Sequence, residues 1–326
     1  MKKFNLAMIC FLLLAGFFGG CMGRDDNNEE NLKEEISVQI QEESESLLPS
    51  KEDKKEEAHE DKKENKKEFL DKTEGFVFDE NKYLSLDKTS KGWGPGGPTD
   101  ENNRSAGAIS YQKKYGKYNA DFILPMGKEI VLTFDEGYEN GYTAPILDTL
   151  KEKNVKAVFF ITYPYAKDNP ELVKRMIDEG HIVGNHSTNH THFPVDPLKS
   201  VCDDVLNLHN FVKENVGYTM RFFRFPFGEF NEQCLALMND LGYKSVFWSF
   251  AYRDWERDNQ PDVETTLAML NQKAHGGAIY LLHAVSKTNS EILGDFIDDM
   301  REKDFVFADY EEILEREVSE EKANQN

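Results

Sequence analysis

The sequence predicts an α/β protein, a distorted (β/α) barrel of about seven parallel strands preceded by a disordered tether. From residue 128 onward, short continuous apolar runs alternate with segments of helical periodicity, and strands that alternate with helices pair in parallel. From residue 25 to about residue 71 the chain is almost entirely charged and polar. An open doubly wound sheet is the alternative, but no glycine-rich dinucleotide fingerprint follows the first strand.

Each predicted element has a local signal. The strands are short apolar runs rich in β-branched and aromatic residues, and the helices repeat apolar residues every three or four positions. One helix begins at Pro170 and stops before Gly180, and another ends near Gly217. Strands are predicted over 129–134, 157–162, 181–184, 222–225, 245–250, 278–283 and 305–308, and helices over 144–153, 170–179, 198–215, 232–241, 263–274 and 290–303.

Residues 1–20 are predicted to be an export signal, because two lysines precede an apolar run and two glycines follow it. The Gly-Gly-Cys at its end resembles a bacterial lipobox, which implies that Cys21 is lipidated and anchors the chain at the outer face of the cell membrane. Phe18 stands where that motif usually has leucine. An ordinary cleaved signal and an uncleaved anchor are the alternatives.

Residues 21–75 are predicted to be a disordered, charged tether, since they have too little apolar area to offset the entropy of ordering. Such a tether lets an anchored domain reach into a surrounding polymer. Residues 76–127 include the Gly- and Pro-rich stretch 93–98 and are expected to form an irregular segment packed on the domain. Residues 316–326 are expected to be a disordered tail.

Charge and cysteine content limit the partners and the redox chemistry. The net charge of −21 argues against nucleic acid and against an anionic membrane surface as partners. Of the four cysteines, Cys10 lies in the predicted signal and Cys21 is the predicted lipidation site directly after it. The others, Cys202 and Cys234, are expected to be buried free thiols, with a disulfide between them as the alternative in an exported protein.

Five short segments carry polar residues, and four of the five directly follow an apolar run. They are Thr133 to Gly137, His186 to His190, Arg224 to Gly228, Asp254-Trp255 and Leu281 to His283. Because the carboxyl ends of parallel strands meet at one end of a barrel, we expect these side chains to converge.

The histidine pair and two acidic residues suit a metal site. His186 and His190 are four residues apart, which would place both imidazoles on one face of a helical turn; a solvated or structural pair is the alternative. Two nitrogens, an oxygen ligand and an open position for water suit Zn²⁺ or a related divalent ion. Asp135 could be a helix N-cap, but adjacent Asp135 and Glu136 suit a division of labour in which one helps to hold the metal and the other takes a proton from water.

The remaining segments supply partners for this chemistry. Arg224 beside Asp135 would orient the carboxylate and lower its pKa, unless it is a surface charge. Phe227, after a proline, would expose its backbone N–H at a turn as a donor to an oxyanion. His283 alone would be a core histidine, but if Asp254 reaches it, it can protonate a departing amine. Together these groups suit metal-assisted hydrolysis of an amide.

With these residues the chain resembles the polysaccharide deacetylases, the NodB-homology domain of carbohydrate esterase family 4, over roughly residues 128–307. That family has five such motifs in this order on a distorted (β/α) barrel, so the resemblance implies a deacetylase domain over 128–315. The roles that it implies are catalytic base for Asp135, partner of the base for Arg224, metal ligand for His186 and His190, tuning residue for Asp254 and general acid for His283.

The chain departs from the family pattern at two positions. Glu136 stands where the family has aspartate as its second acid and metal ligand. The extra methylene implies altered ligand geometry. Ala251 stands where the fourth motif usually has an earlier acid, so Asp254 would act alone.

The match is closer to the sporulation de-N-acetylases that make muramic δ-lactam in spore-cortex peptidoglycan, on segments 136–143, 179–187 and 277–283 and on Trp93-Gly94. It implies removal of acetate from N-acetylmuramic acid in peptidoglycan glycan strands, in the cell wall or the forespore intermembrane space, after an upstream amidase has removed the stem peptide. Two alternatives stay open. One is a deacetylase of another amino sugar, such as N-acetylglucosamine in peptidoglycan or chitin-like oligomers, and the other is a non-catalytic carbohydrate-binding lipoprotein.

Overall fold

A computed structural model of the protein describes residues 70–324. The export signal predicted over 1–20, the lipidation site at Cys21 and the tether up to residue 69 lie outside the described residues. Residues 70–324 form a curled parallel sheet with helices around it, so the distorted (β/α) barrel predicted from the sequence is confirmed. None of the helices in this range is both long enough and apolar enough to cross a membrane.

The strands are β1 (Lys91–Gly92), β2 (Ala120–Asp121), β3 (Glu129–Glu136), β4 (Ala157–Ile161), β5 (Ile182–Asn185), β6 (Phe222–Phe223), β7 (Glu229–Phe230), β8 (Lys244–Val246), β9 (Phe250–Ala251), β10 (Ala278–His283) and β11 (Val306–Phe307). The helices are α1 (Ala106–Tyr115), α2 (Thr143–Glu152), α3 (Tyr163–Asp168), α4 (Pro170–Asp178), α5 (Leu198–Val216), α6 (Glu232–Asp240), α7 (Val263–Gln272), α8 (Lys287–Glu302) and α9 (Tyr310–Asn324). Short 3₁₀ turns lie at Glu80–Lys82, Gly116–Tyr118 and Pro226–Gly228.

The main sheet runs in the order β2-β8-β6-β5-β4-β3-β10-β9, with β11 paired to the start of β3. Its strand pairs are parallel. β8 lies near one end of this order and β9 at the other, yet only residues 247–249 separate them in the chain. The sheet therefore has to curl until its two ends approach each other, which gathers the carboxyl ends of the strands around one mouth.

The prediction of a single strand over 245–250 is wrong, because the structure has two strands there, β8 and β9. The main-chain N–H of Phe247 donates to Asp121 of β2 at 2.7 Å, and that of Ser249 donates to Ile279 of β10 at 3.0 Å. The chain changes its pairing partner between these two residues, so one continuous ladder cannot form across the stretch.

Both faces of the strands are buried, in two separate clusters. The smaller cluster contains strand residues whose side chains fill the barrel, among them Val131, Val158, Ile182, Val246 and Ile279. The larger one packs strand residues against the surrounding helices, among them Ile130, Leu132, Phe134, Ile146 and Leu147.

Alternation along β3 decides which of its polar residues reach the mouth. Successive side chains on a strand point to opposite faces, and Val131 belongs to the inner cluster while Phe134 belongs to the outer one. Thr133 and Asp135 therefore continue the inner face, and Glu136 continues the outer face. All three side chains are buried.

The segment 76–127 is more ordered than the sequence suggests. It contributes helix α1, whose N-cap Ser105 accepts a hydrogen bond from the Ala108 N–H at 3.2 Å, and strand β2, which pairs with β8 in the main sheet. Its Gly- and Pro-rich stretch 93–98 lacks helix and strand, as predicted. The expectation of an irregular segment is wrong for 106–121, because this part completes the sheet.

Parts of both flanking segments, which are predicted to be disordered, have defined structure. Asp71, within the predicted tether, accepts hydrogen bonds from Lys213 Nζ on α5 at 2.7 Å and from Thr73 Oγ1 at 2.6 Å. Residues 316–324, predicted as a disordered tail, belong to α9, which starts at the buried Tyr310 and Ile313. Cys202 and Cys234 are buried and free, so that prediction is confirmed.

Candidate active site

The five polar segments of the sequence meet at the mouth of the barrel. Asp135 is the penultimate residue of β3 and lies opposite His283 of the neighbouring β10 in the strand register. His186 directly follows β5, and Arg224 directly follows β6. Because these strands are parallel members of one curled sheet, their ends point the side chains into a common space.

The carboxylate of Asp135 is held by the fully buried Arg224. One guanidinium nitrogen, Nη1, donates to Asp135 Oδ1 at 2.8 Å and to Thr133 Oγ1 at 2.7 Å. The other two nitrogens donate to main-chain carbonyls, Nε to Val246 at 2.9 Å and Nη2 to Phe247 at 3.1 Å. The guanidinium therefore has a fixed position, and it fixes that of the carboxylate.

These contacts also set the ionisation of Asp135. Burial by itself would raise the pKa of this carboxyl, but the positive charge of Arg224, with smaller contributions from His186 and His283, outweighs burial and lowers the pKa. Asp135 is consequently an anion at neutral pH, the form that accepts a proton.

The imidazoles of His186 and His190 face each other with their Nε2 atoms 3.2 Å apart. His186 Nε2 also lies 3.4 Å from Asp135 Oδ2, while its Nδ1 lies 2.9 Å from the carbonyl oxygen of Arg224. That carbonyl can only accept, so Nδ1 carries the proton and the Nε2 lone pair is available. Burial lowers the pKa of both residues, to about 4 for His190, and both rings are therefore neutral at neutral pH, as metal ligands must be.

The histidine pair does not lie on a helical turn, and that expectation is wrong. Residues 186–190 form a bend in which Ser187 and His190 have positive φ angles of 73° and 51°. Asn185 Oδ1 accepts from the Ser187 N–H at 2.8 Å, and Ser187 Oγ accepts from the His190 N–H at 2.9 Å. Side-chain oxygens thus replace the helical main-chain acceptors and bring the two rings together.

The spacing of the two rings suits a divalent ion. Two tetrahedral nitrogen ligands of Zn²⁺ lie about 3.3 Å apart, close to the 3.2 Å between His186 Nε2 and His190 Nε2. Within residues 70–324, no group of three or more His, Cys, Asp and Glu side chains is arranged to hold a metal. The pair thus offers two ligands of a site that would be completed by other donors.

Glu136 faces the side of β3 opposite to Asp135, an orientation that does not favour its expected role as a metal ligand. β3 continues to residue 136, two residues beyond its predicted end, so Glu136 faces the side of the strand opposite to Asp135. Both carboxylate oxygens are buried without a hydrogen-bond partner. Burial, reinforced by the negative charges of Glu139 and Asp135, raises the pKa of Glu136 well above its ordinary value, which favours the neutral carboxyl.

Phe227 lies beside the histidine pair on the turn Pro226–Gly228. Its backbone is left-handed, with φ 58° and ψ 4°, and its ring is 52% exposed. The ring packs between His190, at a centroid distance of 4.5 Å, and His192, at 4.6 Å. The Phe227 side chain therefore borders the imidazole of His190, one member of the histidine pair.

Asp254 and His283 form the second charged pair of the site. Asp254, fully buried in the loop after β9, lies with Oδ1 2.7 Å from His283 Nδ1 and accepts from the His283 N–H at 2.8 Å through Oδ2. Burial by itself would lower the pKa of His283, but the Asp254 carboxylate outweighs it and the pKa is raised. Nδ1 is committed to Asp254, which leaves Nε2 as the nitrogen that can donate a proton. The half-exposed Trp255 lies edge-on to the His283 ring, 5.6 Å away.

The sequence did not point to two polar residues that support these pairs. Thr133 accepts a hydrogen bond from Arg224 and donates one to the Tyr280 carbonyl at 2.6 Å. It lies two positions before Asp135, and residues two apart on a strand share a face, so the sequence could have indicated that Thr133 lies beside Asp135. Asn289 of α8 donates to Asp254 Oδ2 at 2.6 Å. Its sequence position carries no such signal, because only the packing of α8 against the loop brings it there.

Comparison with known proteins agrees with this geometry. The sequence profile of the polysaccharide deacetylase family matches residues 125–246. The peptidoglycan-N-acetylmuramic acid deacetylase PdaA of Bacillus subtilis is 41% identical over 201 residues, which are 61% of this chain and 76% of that one. The solved structure of Bacillus subtilis PdaA, a family 4 carbohydrate esterase, superposes with a TM-score of 0.67 at 35% identity and covers 71% of this chain and 99% of that one. A peptidoglycan-N-acetylglucosamine deacetylase of Listeria monocytogenes is 33% identical over 57% of this chain and 39% of its own length.

Gly184 leaves room for the Phe160 ring, which lies against the Arg224 guanidinium. A Cβ at this position would lie 2.5 Å from Phe160 Cδ1, and the Phe160 ring lies 4.2 Å from the Arg224 guanidinium carbon. We expect Gly184→Ala to destabilise the fold by about 1–3 kcal/mol through overpacking and to lower activity by displacing Arg224. Urea unfolding and kcat/KM measure both effects. Gly294→Ala on α8, where a Cβ would meet only ordinary contacts at 3.6 Å, is the control, and equal stability of the two variants would contradict this packing.

The affinity of the protein for Zn²⁺ distinguishes side chains that bind the metal from side chains that do not. Glu136→Gln should leave Zn²⁺ affinity within about twofold of wild type, because the carboxyl faces away from the imidazoles, whereas His190→Gln should weaken it by roughly a hundredfold or more through loss of a ligand. Isothermal titration of the metal-stripped protein with Zn²⁺ provides the measurement. A loss in Glu136→Gln as large as that in His190→Gln would mean that Glu136 does reach the ion.

Proposed function

Because the chain belongs to the polysaccharide deacetylase family, we propose that it removes the N-acetyl group from N-acetylmuramic acid in peptidoglycan glycan strands. One observation carries the hydrolytic part of this proposal. Asp135 is kept ionised by Arg224, and His283 is kept protonated by Asp254, at opposed positions of two neighbouring strands. Two titratable groups whose pKa values are moved in opposite directions are what a general base and a general acid require.

The catalytic roles follow from the protonation states. Asp135 takes a proton from the attacking water, and Arg224 keeps the carboxylate oriented during the transfer. The Phe227 N–H donates to the acetamide oxygen as that oxygen gains negative charge. His283 gives its Nε2 proton to the sugar nitrogen as the C–N bond breaks, and Asp254 stabilises the imidazolium before the transfer. The products are acetate and a free amino sugar.

His186 and His190 would hold a divalent ion, for which Zn²⁺ is our proposal because neutral imidazoles are ligands that it favours. When bound, the ion supplies Lewis-acid polarisation of the acetamide carbonyl and lowers the pKa of water. Glu136 has no part in this proposal, since it lies on the other face of β3.

Muramic acid is favoured as the substrate by the similarity to PdaA, whose name states that substrate and which matches at higher identity and over more of its own length than the N-acetylglucosamine deacetylase of Listeria monocytogenes. We propose further that the product amine leads to muramic δ-lactam in spore cortex, with an upstream amidase removing the stem peptide first. The competing proposal for this site is deacetylation of N-acetylglucosamine.

The location is proposed from the sequence alone. A lipoprotein signal over 1–20 and a lipidated Cys21 would anchor the chain at the outer face of the membrane, and the charged residues that follow would let the domain over 128–315 reach the glycan strands. Residues 76–127, which complete the sheet through β2, would accompany that domain.

Acetate release tests the substrate. We expect the protein to release acetate from glycan strands that carry N-acetylmuramic acid without stem peptide, and much less from peptide-bearing strands or chitin oligomers. Mass spectrometry of the glycans would detect the lost acetyl group and any lactam. Release from N-acetylglucosamine alone would favour the competing substrate, and no release with metal present would indicate the non-catalytic carbohydrate-binding alternative.

Asp254 should control the alkaline limit of activity. The general acid must be protonated, so activity falls as pH rises through the pKa of His283, which Asp254 raises. Asp254→Asn removes that charge, so the pKa falls and the descending limb of kcat/KM moves to lower pH. Asn289→Ala, which also alters a contact of Asp254 but keeps its charge, should shift the limb far less. If the descending limb of kcat/KM in Asp254→Asn stayed at the wild-type pH, the assignment of His283 as the acid would be contradicted.

A further inference from the structure

The N-terminal segment is bonded to the turn that carries Phe227. Strand β1 pairs antiparallel with β7, with Lys91 opposite Phe230 and Gly92 opposite Glu229. β7 begins directly after the turn Pro226–Gly228. The next residue of the N-terminal segment, Trp93, donates its main-chain N–H to the Gly228 carbonyl at 3.0 Å.

The turn has an unfavourable backbone that its surroundings have to maintain. Phe227 and Gly228 have consecutive positive φ angles of 58° and 67°. A left-handed conformation costs a non-glycine residue about 1–2 kcal/mol, and such conformations persist where neighbouring groups fix them. The contacts are close here, because a Cβ at Gly228 would lie 2.7 Å from Trp248 Cη2 and 3.1 Å from the Trp93 carbonyl oxygen.

The Trp93 side chain joins this turn to the strand segment that holds Arg224. Its indole Nε1 donates to the Trp248 carbonyl at 3.0 Å, and the preceding carbonyl, that of Phe247, accepts from Arg224 Nη2 at 3.1 Å. The indole is 7% exposed. It is held in turn by Tyr111, at a centroid distance of 4.7 Å.

We propose that Trp93 is a positioning residue for the deacetylation. Its main-chain N–H holds the Phe227–Gly228 turn and its indole N–H holds the Phe247–Trp248 segment, so the oxyanion donor and the Arg224–Asp135 pair keep one fixed spacing. An acyl group that is attacked by water next to Asp135 while its oxygen binds Phe227 N–H requires that spacing. The proposal rests on the proposed function, because it assigns Trp93 a part in the same reaction.

Trp93→Phe in the full-length chain removes the indole N–H and keeps an aromatic ring in the cluster. We expect kcat for acetate release to fall roughly tenfold while KM stays within about twofold, because a misplaced oxyanion donor weakens the transition state and not substrate binding. The pH limits of activity should not move, since Asp135, His283 and Asp254 are untouched. Tyr111→Phe, a hydroxyl deletion in the same aromatic cluster, is the matched control and should retain wild-type kinetics.

A benzothienylalanine at position 93 separates the lost hydrogen bond from a change of shape, because it is an indole isostere without the N–H, and it should reproduce the fall in kcat. Wild-type kcat in either folded variant, or an equal fall in the Tyr111→Phe control, would overturn the role of Trp93 alone. Failure of the wild-type protein to release acetate from any of the glycans would overturn the proposed function, and the role of Trp93 with it.

Discussion

The buried Arg224 guanidinium is the interaction on which the rest of the mouth depends. A buried cation is costly unless it is paired and its N–H groups are satisfied. Here the Asp135 carboxylate supplies the countercharge, and the Thr133 hydroxyl with two main-chain carbonyls of residues 246 and 247 accepts the remaining bonds. One side chain thus ties the end of β6 to β3 and to the stretch after β8. Removing either ion would leave the other buried without a partner, at a cost on the order of 3–5 kcal/mol.

The same charge organises the protonation states around it. Arg224 keeps Asp135 anionic, and burial keeps His186 and His190 neutral, so a carboxylate and two neutral imidazoles lie side by side. The Asp254 carboxylate raises the pKa of His283, on the neighbouring strand β10, and so favours its protonated form. Because each of these groups has a different neighbour, the proposed base, ligand pair and acid can coexist at one pH.

The sequence predicts those features that depend on strand periodicity and strand ends. The apolar runs that became β3, β5, β6 and β10 place their polar ends at one mouth, as parallel pairing requires. It could not predict features that depend on an element's last residues or on loop geometry. β3 extends to Glu136, which turns that side chain outward, and Ser187 and His190 adopt left-handed angles that nothing in their spacing indicates. Strand β2 has only two residues and depends on pairing with β8. Helix α1 buries Ala108 and Tyr115 but has little apolar periodicity, so neither element is predictable from the local sequence.

We propose that Asp135 acts as base and His283 as acid on one acetamide. The direct test of these two roles is acetate release by Asp135→Asn and His283→Ala, each compared with wild type on the same peptide-free glycan strands. We expect each substitution to lower kcat by on the order of a hundredfold or more, since each removes one proton transfer, with Zn²⁺ affinity retained in His283→Ala. Either variant turning over at the wild-type rate would contradict the role assigned to that residue.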